Sequence, residues 1–241
     1  MTLRKAGRIL SFLILLTGSQ VTVYTQSLNY AEIFGSDWQK ALTFLKENNH
    51  WIKPALAEYD VPYDEAVAVV FPELVRYSAL RDKMEITMLK TLYRNLGDDY
   101  ANFSIGVFQV KPSFAVEIHD RVFSGSDKKL KALFSKQSAF QNRRLFRASV
   151  ITDLENPETE INYLIAFYKI CEKRFKSSWT DKESKIRFIA TAYNTGLLKN
   201  AKEIEAMSGK KFFNTRLFKT ENYSYAEVSL YWYNQYLHNN R

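Results

Sequence analysis

Disulfides have no place in this chain: its 241 residues include one cysteine, Cys171, too few for an internal bridge. Histidine is equally scarce. His50, His119 and His238 stand far apart, with no HExxH motif and no Cys/His cluster, so neither a metal site nor another cofactor is expected. Only 8 Gly and 5 Pro punctuate the sequence, with no low-complexity linker, internal repeat or sustained heptad, which excludes repeat arrays and coiled coils. Long apolar runs are missing too. The most apolar stretch, residues 9–16 (ILSFLILL), is too short for a comfortable membrane span, and no stable span is expected in the mature chain.

What is present fits a packed helical protein. The chain is 46% hydrophobic and 15% aromatic, ample for a core. Apolar residues recur at helical period over long stretches, and the expectation is an all-α, mostly helical fold in one domain. Arg4, Lys5 and Arg8 precede the short apolar run, and small or polar residues follow it where cleavage could fall, the pattern of a secretory signal over residues 1–27, with an uncleaved anchor as the alternative. No cysteine follows that run, so lipid attachment there is excluded. Three of the 34 Lys/Arg and none of the 26 Asp/Glu precede residue 28, leaving 31 against 26, a net charge of +5. That balance suits an anionic polymer, and export favours a cell-wall glycan over nucleic acid. The expected location is periplasmic or envelope-associated.

In chain order, Ser36 is expected to cap a helix ending near Asn48 and Asn49, within a helical extension over residues 28–60. A second helix starts after Pro62 and should end or bend at Pro72, which places Glu73 at a helix terminus, projecting into a cleft. Asp82 with Glu85 resembles a capping box for an amphipathic helix over 82–96, with Met84, Met88, Leu89, Leu92 and Leu96 on its apolar face and Gly97 as its stop. Residues 126–152 are strongly basic, a pattern that suits either a solvated helix face or a surface for an anionic polymer. Asn156 and Pro157 open a helix whose buried stripe is Ile161, Leu164, Ile165, Tyr168, Cys171 and Phe175, with Cys171 as an inert core residue. Thr180 with Glu183 reads as the capping box of the next helix, which Gly196 ends, and an aromatic helix closes the chain.

One carboxylate is out of keeping with its surroundings. Glu73 follows the apolar run 67–72 and precedes Leu74, Val75 and Tyr77. Such a glutamate is either a surface residue beside a buried stripe or an acid whose pKa an apolar pocket raises, so that it can donate a proton near neutral pH. Gln109, between Phe108 and Val110, likewise either braces a loop or reads a ligand.

Four segments, in order, make the chain resemble the soluble lytic transglycosylase (SLT-domain) family. They are the apolar run delivering Glu73, the stretch 104–112 (SIGVFQVKP), the helix opened by Asn156, Pro157 and Glu158, and the stretch 192–196 (AYNTG). Glu221 and Tyr225 supply a weaker fifth. The resemblance covers most of the mature chain and implies a lysozyme-like domain over 61–241. Three departures stand out: Leu74 where the family has serine, Val107 and Phe108 for its Leu-Met, and a longer stretch between Glu73 and Gly106 that includes residues 78–101.

The resemblance implies cleavage of the MurNAc-β-1,4-GlcNAc bond of peptidoglycan with formation of 1,6-anhydro-MurNAc ends. A single glutamate, Glu73, would act first as acid and then as base. It implies that Tyr193 hydrogen-bonds and orients Glu73, that Asn194 holds the sugar, and that Ser104 and Gln109 contact substrate. Gly106 would allow close backbone approach, and Tyr225 would pack by the carboxylate. Glycan strands are then the expected partner, with no nucleic acid, for which no recognition module is present. Two alternatives remain. One is a lysozyme-type hydrolase, which needs a second carboxylate, with Asp82, Glu85, Asp98 and Asp99 as candidates. The other is a catalytically silent peptidoglycan-binding protein.

Overall fold

A computed structural model describes residues 28–79, 83–97, 103–135, 142–214 and 221–239. The expected signal segment lies outside them. Among the described residues, α1 (Tyr30–Phe34), α2 (Ser36–Glu58), α3 (Tyr63–Ala79), α4 (Lys83–Leu96), α5 (Pro112–Ser124), α6 (Lys128–Ala132), α7 (Arg143–Glu155), α8 (Pro157–Arg174), α9 (Lys182–Thr195) and α10 (Ala201–Met207) follow in order. A two-stranded ribbon, β1 (Lys211–Phe213) against β2 (Tyr223–Ser224), then leads into α11 (Tyr225–Asn239). The fold is all-α in a single domain, as the periodicity implies. No helix among the described residues is long and apolar enough to cross a membrane.

The core is built round α3. Every residue from Ala66 to Val75 is buried, Pro72 and Glu73 included, so this helix has almost no solvent face and must be wrapped. α2, α9 and α11 pack against it. Trp38 of α2 and Trp232 of α11 meet Phe71 at ring-centroid distances of 4.6 and 5.2 Å. Residues 28–60 thus share the core of the rest of the chain.

Several boundaries differ from expectation. α3 runs through Pro72 to Ala79. Proline removes one ladder hydrogen bond, the one to the Ala68 carbonyl, but packing on all sides holds the helix together, and the Tyr225 hydroxyl donates to the neighbouring Val69 carbonyl at 3.0 Å. α2 continues past Asn48 and Asn49 to Glu58, through Pro54, with Gly35 rather than Ser36 at its N-cap. The Asn48 side chain serves the helix instead of ending it, donating to the Phe44 carbonyl and accepting from the Trp51 indole at 2.8 Å each. Asp181 and Ser184, not Thr180 and Glu183, form the capping box of α9, because the cap falls one residue later. Leu96 is 51% exposed, whereas Leu89 and Leu92 pack on the core. The stripe of α8 is buried throughout, Cys171 included.

Candidate functional site

Glu73 lies in the middle of α3, 4% exposed. The expected position at a helix end is not what the structure shows, because α3 does not stop at Pro72. Three residues on, Arg76 donates through one guanidinium nitrogen to both carboxylate oxygens, at 3.0 and 2.9 Å. The i,i+3 spacing on a helix brings the two together. Arg76 is itself held over the Phe213 ring at 4.6 Å and donates to the Asn214 carbonyl at 3.4 Å. Burial raises the Glu73 pKa above the ordinary carboxylate value. Arg76 opposes that most strongly, with Lys111 and the Tyr225 hydroxyl helping.

The second wall is the turn 105–110. Ile105 and Val110 exchange both backbone hydrogen bonds at 3.0 Å, closing the turn as an isolated bridge. Two residues inside it take the left-handed conformation, Gly106 at φ 76° and Gln109 at φ 54°. At Gly106 a side chain is impossible for a further reason. A Cβ there would sit 2.3 Å from the Leu154 carbonyl oxygen and 2.3 Å from a Glu160 carboxyl oxygen. The close approach that requires glycine is therefore to α7 and α8, behind the wall.

Phe108 is pinned from two sides. Its amide donates to both Glu160 oxygens, at 3.1 and 3.3 Å, and its carbonyl accepts from the Tyr193 hydroxyl at 2.9 Å. The hydrogen bond expected from Tyr193 to Glu73 is thus made to the Phe108 carbonyl. Gln109 turns its amide back onto the Gly106 carbonyl at 2.8 Å, which is the loop-bracing role.

Glu73, Ser104, Gln109, Tyr193 and Asn194 come together as lining of one cleft of about 450 Å³, with Arg76, Lys111 and Glu117 also on its walls. Gly106 and Tyr225 do not line it; they stand behind it as support. Asp82, Asp98, Asp99 and the Glu85 side chain lie outside the described residues. Glu117 and Glu160 were missed by sequence reasoning. Glu117 lies one turn after Ser113 on the same face of α5, so the 104–112 stretch followed by helical spacing could have found it. Glu160 stands at i−4 from Leu164 and i−8 from Tyr168, on the apolar stripe of α8. It is fully buried, and its pKa is raised well above normal by that burial, against the opposing amides of Phe108, Val110 and Val107. Among the described residues no group of three or more His, Cys, Asp or Glu is placed to hold a metal ion.

Compared with family models, with curated proteins and with solved structures, the chain gives no match in any of the three.

Proposed function

We propose that the protein is a peptidoglycan lytic transglycosylase with Glu73 as its single acid and base. The observation that carries this reading is a buried carboxyl with a raised pKa, exposed only to a cleft whose other walls offer amide and hydroxyl groups. A desolvated acid of this kind can keep a proton near neutral pH and donate it to a glycosidic oxygen. The carboxylate so formed takes the proton of the sugar's own 6-hydroxyl. That oxygen closes on the anomeric carbon, so the chain is cut without water and a 1,6-anhydro end is left. The N-acetyl group of the same sugar stabilises the developing cation. Ser104 on one wall and Asn194 on the other hold the sugar, while Gln109, Tyr193 and Glu160 keep the 105–110 turn in place.

Arg76 adds a step to this scheme. Acceptance by both carboxylate oxygens from its guanidinium favours the anion and partly offsets the upward pull of burial. Drawing Arg76 away on substrate entry would raise the carboxyl's pKa further and favour the acid form. The same ion pair favours a second reading, a wall-binding protein that does not cleave.

Mass spectrometry of fragments released from purified peptidoglycan, with Glu73→Gln beside the wild type, tests the proposal. Anhydro-ended products from the wild type alone support it. Products one water heavier make the protein a hydrolase. Binding to the wall with no release supports the non-cleaving reading.

A further inference from the structure

A second and larger cleft, about 840 Å³, opens between the end of α5, the turn into α6, the end of α8 and the start of α9. Arg121, Lys169, Lys173, Arg174, Lys176 and Lys185 line it, against only Asp127 and Glu172. That ratio of three to one compares with 34 to 26 for the chain, so the excess of positive charge is gathered in a concave surface, where low-dielectric walls focus its field.

The positive charge is only partly neutralised. Lys185 is paired with Glu65 and Glu172 at 2.9 and 2.8 Å, and Lys169 with Glu172 at 3.3 Å. Arg121 and Arg174 both donate to the Leu197 carbonyl, and Arg174 also donates to the Lys199 carbonyl at 3.1 Å. Carbonyls orient a guanidinium without cancelling its charge. Among the described residues Arg121 is ion-paired with Glu117 at 3.1 Å, and the same carboxylate acts on Arg174 at longer range. Burial and the neighbouring Arg121 together lower the Arg174 pKa. Lys173 and Lys176 are exposed and make no ion pair among the described residues. The remaining walls include Val122, Leu130, Ile170 and Trp179, with the Trp179 ring held edge-on to Phe188 at 5.6 Å.

We propose that this cleft is a second ligand site, for a small anion carrying two or more negative charges. Its volume lies in the range of small-molecule pockets, roughly 300–1,000 Å³. Two oriented guanidiniums and two unpaired lysines supply charge for carboxylate or phosphate groups. Trp179 on the same wall reports occupancy. This site stands independently of the reaction proposed for Glu73.

The test is titration of the full-length protein with citrate and with tripolyphosphate, followed by calorimetry and tryptophan fluorescence at low and at high salt. The expected result is saturable binding of at least one probe, weakened by salt, with a fluorescence change that Trp179→Phe abolishes. The double variant Lys173→Glu, Lys176→Glu alters two exposed side chains and should weaken binding by about tenfold or more. Preference for one probe identifies the acid group. No saturation by either probe below about 10 mM, or equal affinity in the double variant, overturns the proposal.

Discussion

The Glu73 cleft keeps its decisive charge buried and answered by one arginine, whereas the basic cleft spreads six cations over a surface that answers only some of them. The loop after α9 separates the two. Gly196, Leu198 and Lys199 face the first cleft, while the Leu197 carbonyl is clasped by Arg121 and Arg174 of the second. In the first cleft, desolvation sets the chemistry and salt should matter little. In the second, net charge sets it and screening acts directly, since the Debye length is about 8 Å at physiological ionic strength. One fold thus holds charge in two ways, buried and paired in one cleft and exposed and only partly paired in the other.

The largest separation of the two should come from Glu73→Gln. Losing a positioned general acid costs about 10²- to 10⁴-fold in rate, so release of wall fragments should fall by that much. Citrate or tripolyphosphate binding at the basic cleft should stay at the wild-type value. Loss of both together would mean that the clefts are not independent.

Gly106→Ala should follow. The added Cβ meets a backbone carbonyl that cannot move aside, at a φ of 76°. Backbone strain of about 1–3 kcal/mol and overpacking of about 1–3 kcal/mol should lower stability by several kcal/mol, read as a drop in the denaturant midpoint. Gly209→Ala, where nothing lies within 4 Å, is the internal control and should change stability by less than about 1 kcal/mol. A similar cost at both positions would show that the turn 105–110 does not depend on close packing.

How far these features could be read from sequence depends on what fixes each one. The stripe of α8 was legible because burial alone selects those residues at a 3.6-residue period. Glu160 sat on the same stripe and was passed over because it is charged. Its place is justified only by the amides of a turn 52 residues earlier in the chain. Pro72 misled in a more consequential way. Local propensity ends a helix there, yet burial of α3 on every side carries it on. Only in a continuous helix do Glu73 and Arg76 become i,i+3 neighbours, so the misplaced helix end also hid the ion pair at the centre of the site. The cleft residues themselves were legible as motif stretches. That Gly106 and Tyr225 stand behind the cleft, and that Tyr193 holds Phe108, follows from tertiary packing alone.

Arg76→Gln sharpens the comparison through pH. If the acid form of Glu73 is the active one, activity falls as pH rises through its pKa. Arg76 is the largest influence lowering that pKa, ahead of Lys111 and Tyr225, while Glu160 and Tyr193 stand near the same carboxyl without a countercharge. Removing the guanidinium should move the alkaline limb of the profile to higher pH and release the carboxyl for protonation. Anion binding in the basic cleft should show no such shift. An unmoved limb would mean that Glu73 is not the titrating acid, and total loss of cleavage would mean that Arg76 holds substrate rather than restraining the acid.

Glu117→Gln should have the smallest effect, and it bears on the wall between the clefts. Glu117 is the other carboxylate lining the Glu73 cleft, and its partner Arg121, at 3.1 Å, reaches across to the Leu197 carbonyl beside the basic cleft. A one-carboxylate mechanism needs nothing from it, so fragment release should stay within about threefold of wild type, well short of the roughly 10²-fold expected for a general base, and anhydro ends should persist. A hydrolase needs a second carboxylate to activate water, and in that case the same substitution should stop cleavage and the products should carry reducing ends. The amide also leaves Arg121 without its carboxylate, which makes the basic cleft more positive. Anion affinity there should rise slightly while the Glu73 cleft is unchanged, the reverse of the pattern expected for Glu73→Gln.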